Sequence, residues 1–200
     1  MTAPLRDTLR FLQLENARLT DENHELRDEN QTLRQVLDAL RTLQDVSASV
    51  TPDTSVIGLL DRILQAALTA IQATAGSLLL LDDDGSLVFS VVHGGIRDEL
   101  LNYRLPPGTG IAGWVAGQLE PVIIPDARLD PRFSPLVDDM FRFETRTLMC
   151  VPIASPRKIF GVLSALNKAD GKEFTTADLS LLAVVAQLAA TAMERAETTT

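Results

Sequence analysis

Residues 161–196 read GVLSALNKADGKEFTTADLSLLAVVAQLAATAMERA, and the helix in this stretch decides the fold. The apolar opening is a strand signal. In FTTADLSLL, Thr175 or Thr176 can cap a helix whose positive end lies near Asp178. Leu179, Leu182, Ala186, Ala189 and Met193 then form one apolar stripe, while Leu181, Val185, Leu188 and Ala192 form a second. A helix that is apolar on two sides can cover a sheet with one of them. The other requires a second helix or a partner chain.

A candidate second helix lies upstream. Thr51, Pro52 and Asp53 combine an N-cap hydroxyl, a proline at the first helical position and an acid in the first turn. Ile57, Leu60, Leu64, Ala67, Leu68 and Ile71 follow on one face, and Gly76 is expected to close the helix. SLLLLDDDGSLVFSVV then reads as two strands joined by an Asp-rich turn at Asp84 and Gly85. EPVIIP, TLMCVPI and FGVLSAL add further apolar runs. Four or five strands between a first and a last helix predict an α+β domain with an antiparallel sheet.

The first fifty residues follow a different period. Leu5, Leu12, Leu19, Leu26, Leu33 and Leu40 recur every seven residues, as position d of a left-handed coiled coil. Position a then holds Leu9, Asn16, Asn23, Asn30, Leu37 and Gln44. A buried amide without a partner costs about 1–3 kcal/mol, whereas facing amides satisfy each other. Three asparagines on one seam therefore specify a parallel, in-register homodimer. Glu22 and Glu29 at g, with Arg27 and Arg34 at the following e positions, agree with that orientation. The alternative is an amphipathic helix packed on its own domain. A helix over residues 5–46 would be on the order of 60 Å long. Near residue 40 the seam loses its phase, since Leu43, Val46 and Val50 leave the a and d track. The expected organisation is a coiled-coil dimerisation helix at 1–50, a globular domain at 51–197 and a frayed tail at 198–200.

Composition narrows the function. The chain has 200 residues, 46% of them hydrophobic, and a net charge of -9 with no basic cluster. No nucleic-acid or membrane partner is expected. No apolar run approaches the ~18 residues that span a bilayer, and the polar N-terminal segment does not resemble a signal peptide, so a cytoplasmic location is expected. Cys150, the single cysteine, lies in LMCVPI and reads as a buried strand thiol.

Catalytic and metal motifs are weak. Gly108, Gly110 and Gly113 match the GxGxxG spacing of dinucleotide binders, but the match lies mid-chain after two antiparallel strands. A turn easing into a short helix explains it as well. His24 and His93 lie in different elements, no Cys or His pair has ligand spacing, and there is no GxSxG elbow. Neither a catalytic nor a metal-ligating residue is assigned. In IIPDARLDPRFSPLVDDMFRFETRT, Phe133, Met140, Phe141 and Phe143 interleave with Asp126, Asp130, Asp138, Arg142 and Arg146. That mixture suits a small-molecule pocket and also suits a loop over a core.

The order IAGWVAGQLEPVIIPDARLDPRF, TRTLMCVPI and GVLSALNKADGKEFTTADLSLL resembles a GAF domain over about residues 53–196. The resemblance implies a GAF-like antiparallel sheet of five or six strands with the first and last helices on one face. It also implies a non-enzymatic ligand-sensing or dimerising module. By position, its pocket would be roofed by Pro125–Phe143, with Ile124, Asp126, Phe133, Met140, Phe143, Thr147 and Asn167 as candidate ligand-binding residues. Cyclic-nucleotide-binding members carry an Asn-Lys, a Phe and an Asp-Glu pair. Asn167, Lys168, Phe174 and Asp178 match them, whereas Leu179 stands where the Glu would be. A cyclic nucleotide stays open as a ligand, with its motif incomplete. A covalent bilin needs a pocket cysteine, and methionine sulfoxide reduction needs several, so Cys150 alone fits neither. No cofactor is assigned.

Two functions remain open. The first is a signalling or regulatory homodimer that senses a small molecule and relays the change through helices to a protein partner. The second is a ligand-free adaptor in which coil and domain are both protein-interaction surfaces. Dimer contacts are expected from Leu5, Leu12, Asn16, Leu19, Asn23, Leu26, Asn30, Leu33, Leu37 and Leu40, and from Leu182, Ala186, Ala189 and Met193 of the last helix.

Overall fold

The computed structural model describes residues 12–13, 15–20, 22–23 and 55–198. The chain divides into two compact units, Met1–Leu37 and Asp38–Thr200. In the first unit the described residues are helical, and Arg18 bonds Glu15 at 2.7 Å across one turn. Leu12 and Leu19 are 59% and 53% exposed on the single chain. Asn16 and Asn23 are exposed as well. Leu5, Leu26, Asn30, Leu33, Leu37 and Leu40 lie outside the described residues.

The second unit is built on six strands. Helix α1 (Val56–Ala70) begins at Ser55, whose hydroxyl accepts the Gly58 N–H at 3.1 Å. Ser55 is therefore the cap, and the expected start at Thr51, Pro52 and Asp53 lies outside the described residues. Strand β1 (Ala73–Leu81) and strand β2 (Leu87–His93) form the hairpin read from the sequence, with Gly85 at φ +81° in its turn. A short helix α2 (Arg97–Leu100) leads to strand β3 (Arg104–Leu105). Helix α3 (Gly110–Gln118), strand β4 (Val122–Ile124), a 3-10 turn at Ala127–Leu129 and helix α4 (Leu136–Phe141) follow. Strand β5 (Leu148–Ala154), strand β6 (Ile159–Lys168) and helix α5 (Thr176–Thr198) complete the unit. All pairings are antiparallel, in the order β3-β2-β1-β6-β5-β4.

Gly76 does not close α1. It lies within β1, while Gln72, at φ +56°, makes the left-handed turn out of the helix. Its role is close approach: a Cβ at Gly76 would sit 2.5 Å from a Leu68 methyl of α1.

Each face of the sheet carries its own core. Leu78, Val91, Leu163 and Val151 form one rung across β1, β2, β6 and β5, facing α1 and α5. Leu60, Leu64 and Leu68 of α1 meet Leu181, Val185 and Ala189 of α5 over this face. Leu182, Ala186 and Ala189 are only 0–1% exposed, and Met193 packs against the same cluster. Three of the four residues of the expected dimer stripe on α5 are thus buried inside the protomer, whereas Met193, Leu188 and Ala192 are only partly covered and Val184 is 41% exposed. Thr176–Glu197 has the length and hydropathy of a membrane span, contrary to the expectation of no such run. Leu181, Leu182 and Val185 belong to the core cluster on the sheet.

The opposite face holds a second core. There Leu79, Phe89 and Val162 share one rung, and Ile111 and Val115 of α3 press onto it. This is the side on which α3, α4 and the loops between them form a roof.

Candidate functional site

Between roof and sheet lies a cavity of about 110 Å³. Its floor is set by strand register. Val92, Ser77, Ser164 and Cys150 form one rung across β2, β1, β6 and β5, so their side chains share the roofed face. Ser164 donates to Cys150 Sγ at 3.4 Å. Cys150 itself is fully buried, and burial pushes its thiol up to about 12. Ser77 and Ser164 line the cavity.

One wall is the start of α3. Gly113 N–H closes the first turn on Thr109 O at 3.0 Å, so the preceding N–H groups of Gly110, Ile111 and Ala112 have no acceptor within the helix. Thr109 through Ala112 line the cavity. The GxGxxG spacing finds its explanation here. Gly108 and Gly110 adopt φ +70° and +65° to turn into the helix, and a Cβ at Gly113 would lie 2.5 Å from the Gly108 carbonyl carbon. With an antiparallel sheet and no βαβ unit among the described residues, this is a turn into a helix rather than a dinucleotide fingerprint.

The roof is fastened by carboxylates. Asp138, 4% exposed, accepts Thr145 N–H at 2.8 Å and Thr145 Oγ1–H at 2.7 Å, closing the segment between α4 and β5 into a loop. Asp126 caps the 3-10 turn by accepting Arg128 N–H at 3.0 Å. Asp130 accepts Arg132 Nε–H at 2.9 Å and Nη2–H at 2.7 Å, and the same guanidinium lies 4.4 Å over the Trp114 ring. The Arg132 hydrogen bonds hold the Asp130 carboxyl below its usual range.

At the far wall His93, the last residue of β2, reaches out of the cavity to α1. Its Nε2 lies 3.0 Å from Asp61 Oδ1 and 3.3 Å from Asp61 O. Cavity wall and first helix are thereby joined by a side-chain contact.

Of the seven pocket residues expected from sequence, Phe133 and Phe143 line this cavity. The other five lie elsewhere. Ile124 is buried in the core under α3, Asp126 caps its turn and Met140 is 53% exposed. Thr147 and Asn167 join strands to the roof. Asn167 Oδ1 accepts Arg146 N–H at 2.8 Å and Thr147 N–H at 3.3 Å, while its Nδ2 donates to Glu144 O at 2.7 Å. Lys168 Nζ meets Asp178 Oδ2 at 2.6 Å and lies 5.9 Å from the Phe174 ring. The NK, F and D residues are therefore fasteners, and none of them lines the cavity. Ser77, Ser164, His93 and the start of α3 were missed as wall residues. For Ser77 and Ser164 the sequence signal is a polar side chain interrupting an apolar strand run, whereas the start of α3 is marked only by its glycine spacing.

Residues 55–193 match the GAF domain family. The chain belongs to that family. Over 135 residues it is 36% identical to the dual 3',5'-cyclic-AMP and -GMP phosphodiesterase 11 of Drosophila melanogaster, covering 60% of this chain. Over 139 residues it is 34% identical to phosphodiesterase 11A of Takifugu rubripes, covering 64% of this chain. The match spans 9% and 15% of the lengths of those relatives. In structure, the GAF domain of a Coxiella burnetii phosphoenolpyruvate-protein phosphotransferase superposes with a TM-score of 0.71 at 21% identity, covering 82% of this chain and 97% of that one. A free methionine-R-sulfoxide reductase from Neisseria meningitidis gives 0.67 at 19% identity, with coverage of 82% and 93%. These structural likenesses establish the six-stranded GAF fold.

Proposed function

We propose that this GAF protein is a non-enzymatic signalling or regulatory homodimer, parallel through its heptad segment, that senses a small molecule in the cavity and relays the change to a protein partner. One observation carries the reading: His93 lines the cavity and bonds Asp61 on α1. A second link runs through β1, where Ser77 lines the cavity and the adjacent Gly76 packs directly under Leu68 of α1. A ligand that moves β1 or the end of β2 changes the seat of α1. Because α1 follows the heptad segment in the chain, its displacement biases that segment between two packings.

Exposure of Leu12 and Leu19 on the single chain supports pairing through that segment. Cys150, whose thiol burial pushes up to about 12, is not a nucleophile near neutral pH. The phosphodiesterase relatives share only the GAF portion with this chain.

The adaptor reading has its own supporting observation. About 110 Å³ is well below the roughly 300–1,000 Å³ of typical drug-sized pockets. Native mass spectrometry of gently purified full chain distinguishes the two. The sensor reading expects a dimer carrying a discrete retained mass. A dimer that is apo after every mild preparation favours the adaptor, and a monomer removes the homodimer.

A further inference from the structure

We infer that the cavity takes a compact, uncharged ligand of four to six heavy atoms, a branched or cyclic alcohol or ketone, held through Ser77 and Ser164. This rests on the sensor reading and specifies its ligand class.

Size comes first. About 110 Å³ is less than the roughly 150 Å³ apolar cavity that admits benzene, so a nucleotide exceeds the space between roof and sheet. Shape and polarity follow from the lining. Leu79, Val92, Ile96, Leu100 and Phe133 supply an apolar wall, which favours a branched hydrocarbon body.

Charge is excluded by what surrounds the space. Among the described residues no Lys or Arg lines it, so an anion finds no counter-ion there. The start of α3 offers the partial positive charge of a helix end, but the Asp138 carboxylate lines the same cavity and opposes an anion. A cation fares no better. The Asp138 carboxylate already accepts two hydrogen bonds from Thr145 and lies 3.8 Å from the Arg128 guanidinium, which offsets its charge, and the His93 ring is engaged with Asp61.

One polar group has a place to go. Ser77 is 5% exposed and lines the cavity, and among the described residues its hydroxyl has no hydrogen-bond partner. No fully enclosed side-chain oxygen among the described residues is unsatisfied, which places this hydroxyl at the cavity surface. Ser164, its cross-strand neighbour, spends its proton on Cys150 and keeps its lone pairs. The pair therefore presents one donor and one acceptor side by side, the complement of a hydroxyl and, through Ser77, of a carbonyl.

The test uses three probes of one shape and three charges. Isobutanol, isobutyrate and isobutylamine are titrated, with cyclic AMP alongside, into 15N-labelled full chain, following the amides of Ala75, Gly76, Ile111 and Ala112. The inference expects saturable shifts with isobutanol, at least tenfold weaker binding of both charged isosteres, and no saturable shift with cyclic AMP. Ser77→Ala should weaken isobutanol about tenfold, the equivalent of one hydrogen bond. Tighter binding of isobutyrate, isobutylamine or cyclic AMP overturns the ligand class and leaves the sensor reading standing. No saturable isobutanol binding also overturns the class. The native spectrum then separates the two failures, because a retained larger or charged mass keeps the sensor reading and an apo dimer removes it.

Discussion

Lys168 Nζ sits 2.6 Å from Asp178 Oδ2, joining the end of β6 to the first turn of α5. The Asp178 side chain is 2% exposed, and the same oxygen also accepts Thr175 N–H at 2.8 Å and the Thr175 hydroxyl at 2.9 Å. Asp178 N–H in turn donates to Thr175 Oγ1 at 3.1 Å, so ion pair and helix cap are one structure.

Asp178→Ala should therefore act on stability. It strands the Lys168 ammonium and two Thr175 donors, at a cost of about 3–5 kcal/mol. Urea unfolding checks this. A loss below about 1 kcal/mol would show that the pair does not hold β6 to α5.

A weaker fastener has a convenient reporter. Trp114 is the single tryptophan, and Arg132 covers it at 4.4 Å while holding Asp130. Arg132→Ala should shift the native emission to the red as water reaches the indole, while changing stability by less than about 1 kcal/mol for this half-exposed contact. Unchanged emission would show that the clasp does not shield the ring.

Gly113→Ala tests the turn into α3. Its methyl would meet the Gly108 backbone at 2.5 Å, and backbone cannot swing aside as a side chain can. Loss of at least about 2 kcal/mol is expected, with the shifts in an NMR spectrum centred on residues lining the cavity. A neutral substitution would mean that the approach of Gly108 to α3 is slack.

Cys150 provides the pH test. Burial raises its thiol from 9.0 to about 12, with the Ser164 hydrogen bond opposing in part. The folded state holds the proton through a range in which the unfolded chain releases it, so folding stability is unaffected below pH 9 and declines from there toward pH 12. At pH 8 a disulfide reagent should leave native Cys150 untouched and label it after denaturation. Fast labelling of the native protein would contradict its burial.

What the sequence disclosed depends on element length. The helix of α5 and the β1–β2 hairpin announce themselves by apolar period and by Asp84-Gly85. Strand β3 has two residues, and α2 and α4 have four and six, too short for any period to register. Gly76 was misread as a helix stop because packing against Leu68, a contact between elements, leaves no mark in the local pattern. The site was less legible for the same reason. Aromatic residues of the roof, Phe133 and Phe143, are conspicuous in a polar loop. Ser77 and Ser164 become neighbours only through the pairing of β1 with β6. Asn167 stands beside the wall in sequence, yet its amide is spent on the backbone of residues 144–147.

The most direct test of the sensing claim is thermal unfolding of the full chain in a metabolite library, compared between wild type and Ala112→Phe, which fills the cavity from α3. The account predicts that at least one compound raises the wild-type midpoint by several degrees and leaves that of the folded variant unmoved. Compounds that shift both proteins equally, or a wild type that none of them shifts, would contradict it.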